Sequence, residues 1–223
     1  MTSTRIQLDV ATGAADGVIA RPSSEKAGVI VIQEWWGIVP HIEDLVRRFA
    51  AHGYTALAPD LYHGKKTLDA EEASHLMNGL DWARAAVEIT AAVKHLREKE
   101  GCTKVGVVGY CMGGALAMIA ASVAGVDAYA AYYGFPPKGA ADLSKVSAPG
   151  LIFFGEHEGF FSVPDARHFA DEQSKKGIAT ELTVYPGAGH AFFNDTRPEA
   201  YNASAANDAW RKTLAHFGRY LRG

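Results

Sequence analysis

Four stretches of the chain are almost unbroken apolar runs: GVIVIQ at 28–33, KVGVVG at 104–109, VDAYAAYYG at 126–134 and GLIFFG at 150–155. A strand with one wet face alternates apolar and polar side chains. A strand without that alternation is covered on both faces, as in a parallel sheet between two layers of helices. Strands are therefore expected at Ile6–Val10, Gly17–Arg21, Gly28–Gln33, Tyr54–Ala58, Lys104–Gly109, Val126–Tyr133, Gly150–Phe154 and Thr180–Tyr185.

Helical patterns fill the intervals. From Asp81 to Glu100 apolar residues recur at Trp82, Ala86, Ile89, Val93 and Leu96, and the pattern stops at Gly101. Further helices are expected over His41–His52, Ala70–Asn78, Met112–Ala124, Pro164–Lys176 and Ala200–Leu221. Strands alternating with helices imply right-handed crossovers and an α/β architecture, a mostly parallel sheet of about eight strands with helices on both faces. The first two strands, joined by the turn-like ATGAADG, add an antiparallel edge. No repeat, low-complexity tract or linker divides the chain, so residues 1–223 are expected to form a single domain.

One join between strand and helix carries chemistry. Gly109-Tyr110-Cys111-Met112-Gly113-Gly114 has the form strand, G-x-C-x-G-G, helix. A side chain lifted above the sheet edge on so sharp a turn needs minimal residues two before and two after it. The turn also sets Cys111 at a helix N-terminus, where the dipole and free N–H groups favour a thiolate and a developing oxyanion. Neither G-x-G-x-x-G nor a Walker pattern fits these residues, so phosphate binding does not explain the glycines. The pattern is a nucleophile elbow, and with it the α/β-hydrolase fold is expected.

The base and the acid should follow the nucleophile in chain order. His190 lies in YPGAGHAF, a glycine-rich segment after the last strand; His157 is its one competitor among the nine histidines. The acid belongs to the segment from Gly155 to Asp165. There Asp165 reads as part of a helix cap in Ser162-Val163-Pro164-Asp165, and Glu156 as exposed or bonded to the loop; Glu158 is preferred over Asp165. Gln33-Glu34-Trp35-Trp36-Gly37 ends an apolar strand at the same sheet edge, so the Trp35 and Met112 amides are the expected oxyanion donors. A carboxylate closing a buried strand is costly unless paired. Glu34 is thus either ion-paired with an Arg or Lys, or in contact with Cys111 and a modulator of its protonation. Aromatics on the surrounding loops, Trp36, Tyr62, Phe160 and Phe192 among them, are candidate pocket walls.

These residues resemble the dienelactone hydrolases (carboxymethylenebutenolidases). The resemblance runs through VIQE with Gly37 after it, Pro59-Asp60-Leu61-Tyr62, the Cys111 elbow, Tyr132-Tyr133-Gly134, the Gly155 loop and Gly189-His190-Ala191-Phe192, and covers essentially the whole chain. It implies a Cys–His–acid triad acting on enol-lactones or activated esters without cofactor or metal. By position it gives Cys111 the nucleophile's role, His190 the base's, Glu34 that of the strand-ending glutamate, and Trp35 and Met112 the oxyanion hole. The chain departs from the family in two places. The acid position holds Glu158 where Asp is usual, and Asn194 stands where dienelactone-cleaving members hold the substrate carboxylate with an Arg. Arg197 and Arg84 are the alternative cations, and Asn194 and Arg84 join the candidate substrate contacts.

A formal net charge of −3 argues against nucleic acid or an anionic membrane as partner. The expected partner is a small ester or lactone, bound by a monomer or small homo-oligomer. MTSTRIQLDVATG has no basic-then-apolar leader, so a cytoplasmic location is expected. A thioesterase or acyl transferase shares this site. From other classes, the rivals are a non-catalytic hydrolase-like binding protein and a redox sensor pairing Cys102 with Cys111.

Overall fold

A computed structural model of the chain describes residues 2–10, 13–22 and 26–222. One eight-stranded sheet runs through it, formed by β1 (Thr4–Val10), β2 (Gly13–Ala20), β3 (Ala27–Ile32), β4 (Thr55–Pro59), β5 (Lys104–Tyr110), β6 (Ala128–Tyr132), β7 (Gly150–His157) and β8 (Thr180–Gly189). Their spatial order is β1-β2-β4-β3-β5-β6-β7-β8. β1 pairs antiparallel with β2, and β2 antiparallel with β4; every later pairing is parallel. The expected antiparallel edge is present. Residues 11 and 12 of the expected ATGAADG turn lie outside the described residues, and Gly13 to Gly17 of that segment belong to β2.

Six α-helices are present among the described residues: α1 (Pro40–Ala51), α2 (Ala70–Asn78), α3 (Trp82–Glu98), α4 (Met112–Val123), α5 (Val163–Lys175) and α6 (Ala203–Leu221). α1 and α6 share a face, where Phe49 packs on Trp210 and Phe217. α3 and α4 pack on each other. Strand glycines show why the central runs lack alternation. A Cβ on Gly106 would press on Phe217 and Leu221 of α6, and one on Gly28 would meet Leu96 of α3. All six residues of β3 are buried, and only Lys104 of β5 is exposed. No helix is long and apolar enough, among the described residues, to cross a membrane.

Helix starts follow local chemistry. Asp69, Asp81, Ser162 and Asn202 each accept a hydrogen bond from the backbone amide three residues on, at the heads of α2, α3, α5 and α6. The Asp165 amide donates to Ser162 Oγ at 3.2 Å, the cap expected for that segment.

The largest departure from the sequence reading lies at the far edge. β7 and β8 continue beyond Phe154 and Tyr185, through segments expected to be loops. Gly155 makes this feasible, because a side chain there would strike the Ala188 and Gly189 carbonyls. A register irregularity follows between Gly155 and His157, and His157 then pairs with Gly189. Pro186 is tolerated because β8 is an edge strand. This extended ladder delivers Glu158 and His190 side by side.

Candidate active site

Cys111 stands between β5 and α4 with φ +56° and ψ −119°. A non-glycine residue held in such a region costs about 1–3 kcal/mol and persists only where the surroundings over-determine it. They do so here. A Cβ on Gly109 would overlap the Gly113 carbonyl, one on Gly113 would lie 2.5 Å from the Ile32 and Gln33 carbonyl oxygens, and one on Gly134 would strike the Cys111 carbonyl. The Cys111 amide donates to the Tyr132 carbonyl at 3.0 Å, and its own carbonyl accepts from Gly114 at 2.9 Å. Strand, elbow and helix form one backbone-to-backbone contact with no room for side chains.

The Cys111 residue is 8% exposed. Burial pushes its thiol well above the ordinary cysteine range, and the negative charge of Glu34 pushes it further. The Met112 and Trp35 amides, both hydrogen-bonding to the sulfur, pull the other way without cancelling the rise. The resting group at neutral pH is therefore a thiol.

Glu34 lies two residues beyond the end of β3 and is buried. Its Oε1 accepts from the Tyr133 hydroxyl at 3.1 Å and its Oε2 from the Asn194 amide at 2.7 Å. Neither partner is charged, and no Lys or Arg forms an ion pair with it among the described residues. Asn194 is oriented in turn, its Oδ1 accepting from the Thr196 amide at 3.1 Å and hydroxyl at 2.6 Å. Burial and Glu34 together push the Tyr133 phenol well above its ordinary range, which keeps it a donor.

His190 follows β8. Its Nδ1 lies 2.9 Å from Glu158 Oε2 and 3.1 Å from Oε1. An ionised carboxylate only accepts, so Nδ1 carries the hydrogen and Nε2 of the neutral ring is the free acceptor. The Glu158 side chain is wholly buried, and its Oε1 also accepts from the Phe160 amide at 2.8 Å and the Phe161 amide at 3.3 Å. Phe161 stacks on the imidazole at 5.9 Å, Phe160 tilts over it at 4.7 Å, and Tyr133 meets it edge-on at 5.1 Å. The carboxylates that competed for this place are elsewhere. Asp165 sits in the first turn of α5, and Glu156 Oε2 accepts from the Gly187 amide at 2.9 Å. The His157 side chain is 70% exposed and lies beside Glu156.

Glu34, Trp35, Trp36, Cys111, Phe160 and His190 line one cavity of about 350 Å³. Four expected substrate contacts lie outside it. Phe192 is fully buried in the core against Tyr133 and Tyr185, because β8 and the turn after it direct it inward. Arg84 bonds Glu88 at 2.8 Å along α3 and lines a separate cavity. Asn194 is spent on Glu34 and does not reach the cavity wall. Tyr62 borders the cavity that holds Arg84, and its hydroxyl donates to Met112 Sδ at 3.3 Å, behind the elbow. Met77 of α2 and Arg197 complete the Cys111 cavity, Arg197 lying 5.1 Å over the Trp36 ring. Met77 had no sequence signal, since only tertiary packing brings α2 to the mouth. Among the described residues, no three His, Cys, Asp or Glu side chains cluster to hold a metal ion.

Cys102 does not share this site. It touches Gly28 at the start of β3. Cys111 lies beyond the opposite end of β5, whose seven residues span about 20 Å. A disulfide needs Cα atoms within about 7 Å, so the redox pairing is excluded in this fold. Both cysteines are free.

The profile of the dienelactone hydrolase family matches residues 15–221, from β2 to the last turn of α6. The chain belongs to the dienelactone hydrolase family. It is 35% identical over 217 residues to Protein usf of Aquifex pyrophilus, covering 92% of this chain and 93% of the relative. It is 29% identical over 220 residues to a protein of Aquifex aeolicus provisionally named a carboxymethylenebutenolidase, covering 92% and 94%. A crystal structure of a provisionally named dienelactone hydrolase from Klebsiella pneumoniae superposes with a TM-score of 0.83 at 25% identity, over 99% of this chain and 100% of that one. A dienelactone hydrolase-like promiscuous phosphotriesterase from metagenomic libraries shares the fold with a TM-score of 0.85 at 22% identity, covering 99% and 100%. Membership makes the chain a carboxylic ester hydrolase with the family's α/β-hydrolase fold.

Proposed function

We propose that the protein hydrolyses a small carboxylic ester or enol-lactone through a thioester on Cys111, with His190 as base and Glu158 orienting it. The observation that carries this reading is the pairing of two features in one cavity: a strained cysteine with two backbone amides aimed at its sulfur, and a histidine whose Nδ1 is tied to a buried carboxylate.

The substrate enters with its carbonyl carbon over Cys111. His190 Nε2 takes the thiol proton as the sulfur bonds to that carbon. The carbonyl oxygen becomes an oxyanion and takes the Trp35 and Met112 hydrogen bonds that the sulfur held at rest. The tetrahedral adduct collapses, the C–O bond breaks, and His190 returns its proton to the leaving oxygen. In a lactone that oxygen stays attached to the acyl group as a new hydroxyl. Water, deprotonated by His190, then adds to the thioester and regenerates the thiol with a carboxylic acid. Glu158 stabilises the imidazolium formed in each half. Arg197 is the cation on the cavity wall. It gives a substrate carboxylate the partner that Asn194, turned onto Glu34, does not.

The test is turnover of p-nitrophenyl acetate and of a small enol-lactone, with intact-mass detection of the acyl-enzyme. Turnover is expected to fall at least about 10³-fold in Cys111→Ala, as for loss of a covalent nucleophile, and a rapidly quenched reaction should carry the acyl mass on the Cys111 peptide. Unchanged turnover in Cys111→Ala would overturn the reading.

A further inference from the structure

A second cavity is larger than the one over Cys111. It encloses about 690 Å³ between the loop after β6, the 3-10 helix Leu143–Lys145 and one face of α5. Two side chains, Phe160 and Phe161, belong to the walls of both cavities. They stand beside the His190 ring, and their amides hold Glu158. The partition between the spaces is thus a pair of aromatic rings on a short loop. Phe160, 73% exposed, is the half of that partition least held by packing.

The second cavity has an apolar side and a polar one, the latter carrying Lys138, His168, Glu172 and Lys176. Phe135 and Phe169 meet edge to face at 6.1 Å in its wall, beside Ala141 and Leu143. Gln173 of α5 lines the same space, is 1% exposed, and its Oε1 has no hydrogen-bond partner among the described residues. A buried amide oxygen without a donor from the chain is costly, and a donor on a molecule bound in the cavity would remove that cost. The adjacent carboxylates do not supply one, and Glu172 is itself engaged by Lys175 at 2.6 Å.

We propose that this cavity is a second substrate subsite, taking an apolar arm, aromatic or aliphatic, of an ester whose carbonyl lies over Cys111, with a hydrogen-bond donor on that arm facing Gln173. The proposal rests on the hydrolytic reading of the Cys111 site and extends it: the preferred substrate is larger than a bare five-membered enol-lactone. Each methylene moved from water into an apolar cavity gives up to about fourfold in affinity, so arm length is a sensitive readout.

The test measures p-nitrophenyl acetate against p-nitrophenyl octanoate twice, by turnover in the wild type and by calorimetric binding to Cys111→Ala, which needs no catalysis. Octanoate should exceed acetate at least tenfold in both kcat/KM and affinity. Ala141→Trp, filling the cavity from its wall, should remove most of that advantage and leave acetate within twofold. Ser144→Phe, at an exposed position on the same rim, should reduce it in a background less sensitive to packing. For the donor, a p-nitrophenyl ester with an 8-amide acyl chain should lose its advantage over octanoate in Gln173→Leu. Equal binding of acetate and octanoate, or a chain-length preference untouched by both filling variants, would overturn the subsite. Length-dependent binding without turnover of any ester would overturn the hydrolytic reading and leave the subsite standing.

Discussion

At the scale of single residues, the site separates groups that hold one another from groups that meet the substrate. Glu158 is fixed by two backbone amides and offers its oxygens to His190. Glu158→Gln is expected to lower kcat by about 10²–10⁴-fold, the range for losing the orienting acid of a triad, while Asp165→Asn leaves kcat within twofold; steady-state kinetics on one ester distinguish them. The Cys111 thiol gives a prediction of definite sign. Its pKa is raised by burial and then by Glu34, so the reactive thiolate appears only at a pH above the ordinary cysteine value of about 8.5. Glu34→Gln removes the like charge and should move the pH profile of Cys111 alkylation by iodoacetamide to lower pH, followed by peptide mass mapping. An unmoved or upward-moved profile would mean that Glu34 acts on the thiol only through packing. Asn194 belongs with Glu34, since it donates the shorter of that carboxylate's two hydrogen bonds.

At the scale of elements, the β5–α4 elbow and the β7–β8 ladder do the positioning, and both depend on glycine for steric reasons. Gly113→Ala would set a methyl against the Ile32 and Gln33 carbonyl oxygens, which are backbone atoms of β3 and have nowhere to go. The expected cost is about 3 kcal/mol or more, since overpacking is compounded by displaced backbone, and urea unfolding measures it. Ser162→Ala removes the α5 cap and should cost about 1 kcal/mol. The elbow was legible in the sequence because its requirements are local: two glycines at fixed offsets between an apolar strand and a helix. The ladder was not. Gly155 and Gly189 read as loop residues, and only pairing with the opposite strand makes them strand.

At the scale of the molecule, the sheet is tied at its amino end by charge as well as by packing. Asp127 accepts from Lys104 Nζ at 2.7 Å, the Val105 amide at 2.9 Å and Arg97 of α3 at 2.9 Å. Burial alone would raise its pKa, but these donors outweigh burial and hold it below the ordinary aspartate value. Asp195, bonded to Arg48 with His41 beside it, is depressed in the same way against the pull of burial. A carboxylate whose pKa is lowered on folding contributes stability above its unfolded value, about 3.9, and loses it as pH falls through the folded value. Urea midpoints should therefore drop below about pH 4, and Asp127→Asn should flatten that drop while lowering stability at pH 7. A midpoint that stays level from pH 6 to pH 3 would contradict this.

The sequence by itself determined the class of fold, the elbow around Cys111 and the family. Each rests on local rules: continuous apolar runs, glycine offsets at the elbow, capping residues, and chain order from Cys111 to His190. Glu158 was ranked above Asp165 because Asp165 had a capping explanation; in the fold Glu158 lies beside His190 and Asp165 in the first turn of α5. What only the tertiary structure decided is where long side chains point and which elements meet. Phe192 and Asn194 follow His190 as closely in sequence as any pocket residue would, yet one turns into the core and the other onto Glu34. Arg84 belongs to Glu88 along its own helix, while Met77 and Arg197 reach the cavity from segments far apart in the chain. Periodicity fixes the face of an element, but the contents of a cavity depend on how separate elements pack, and no local pattern encodes that.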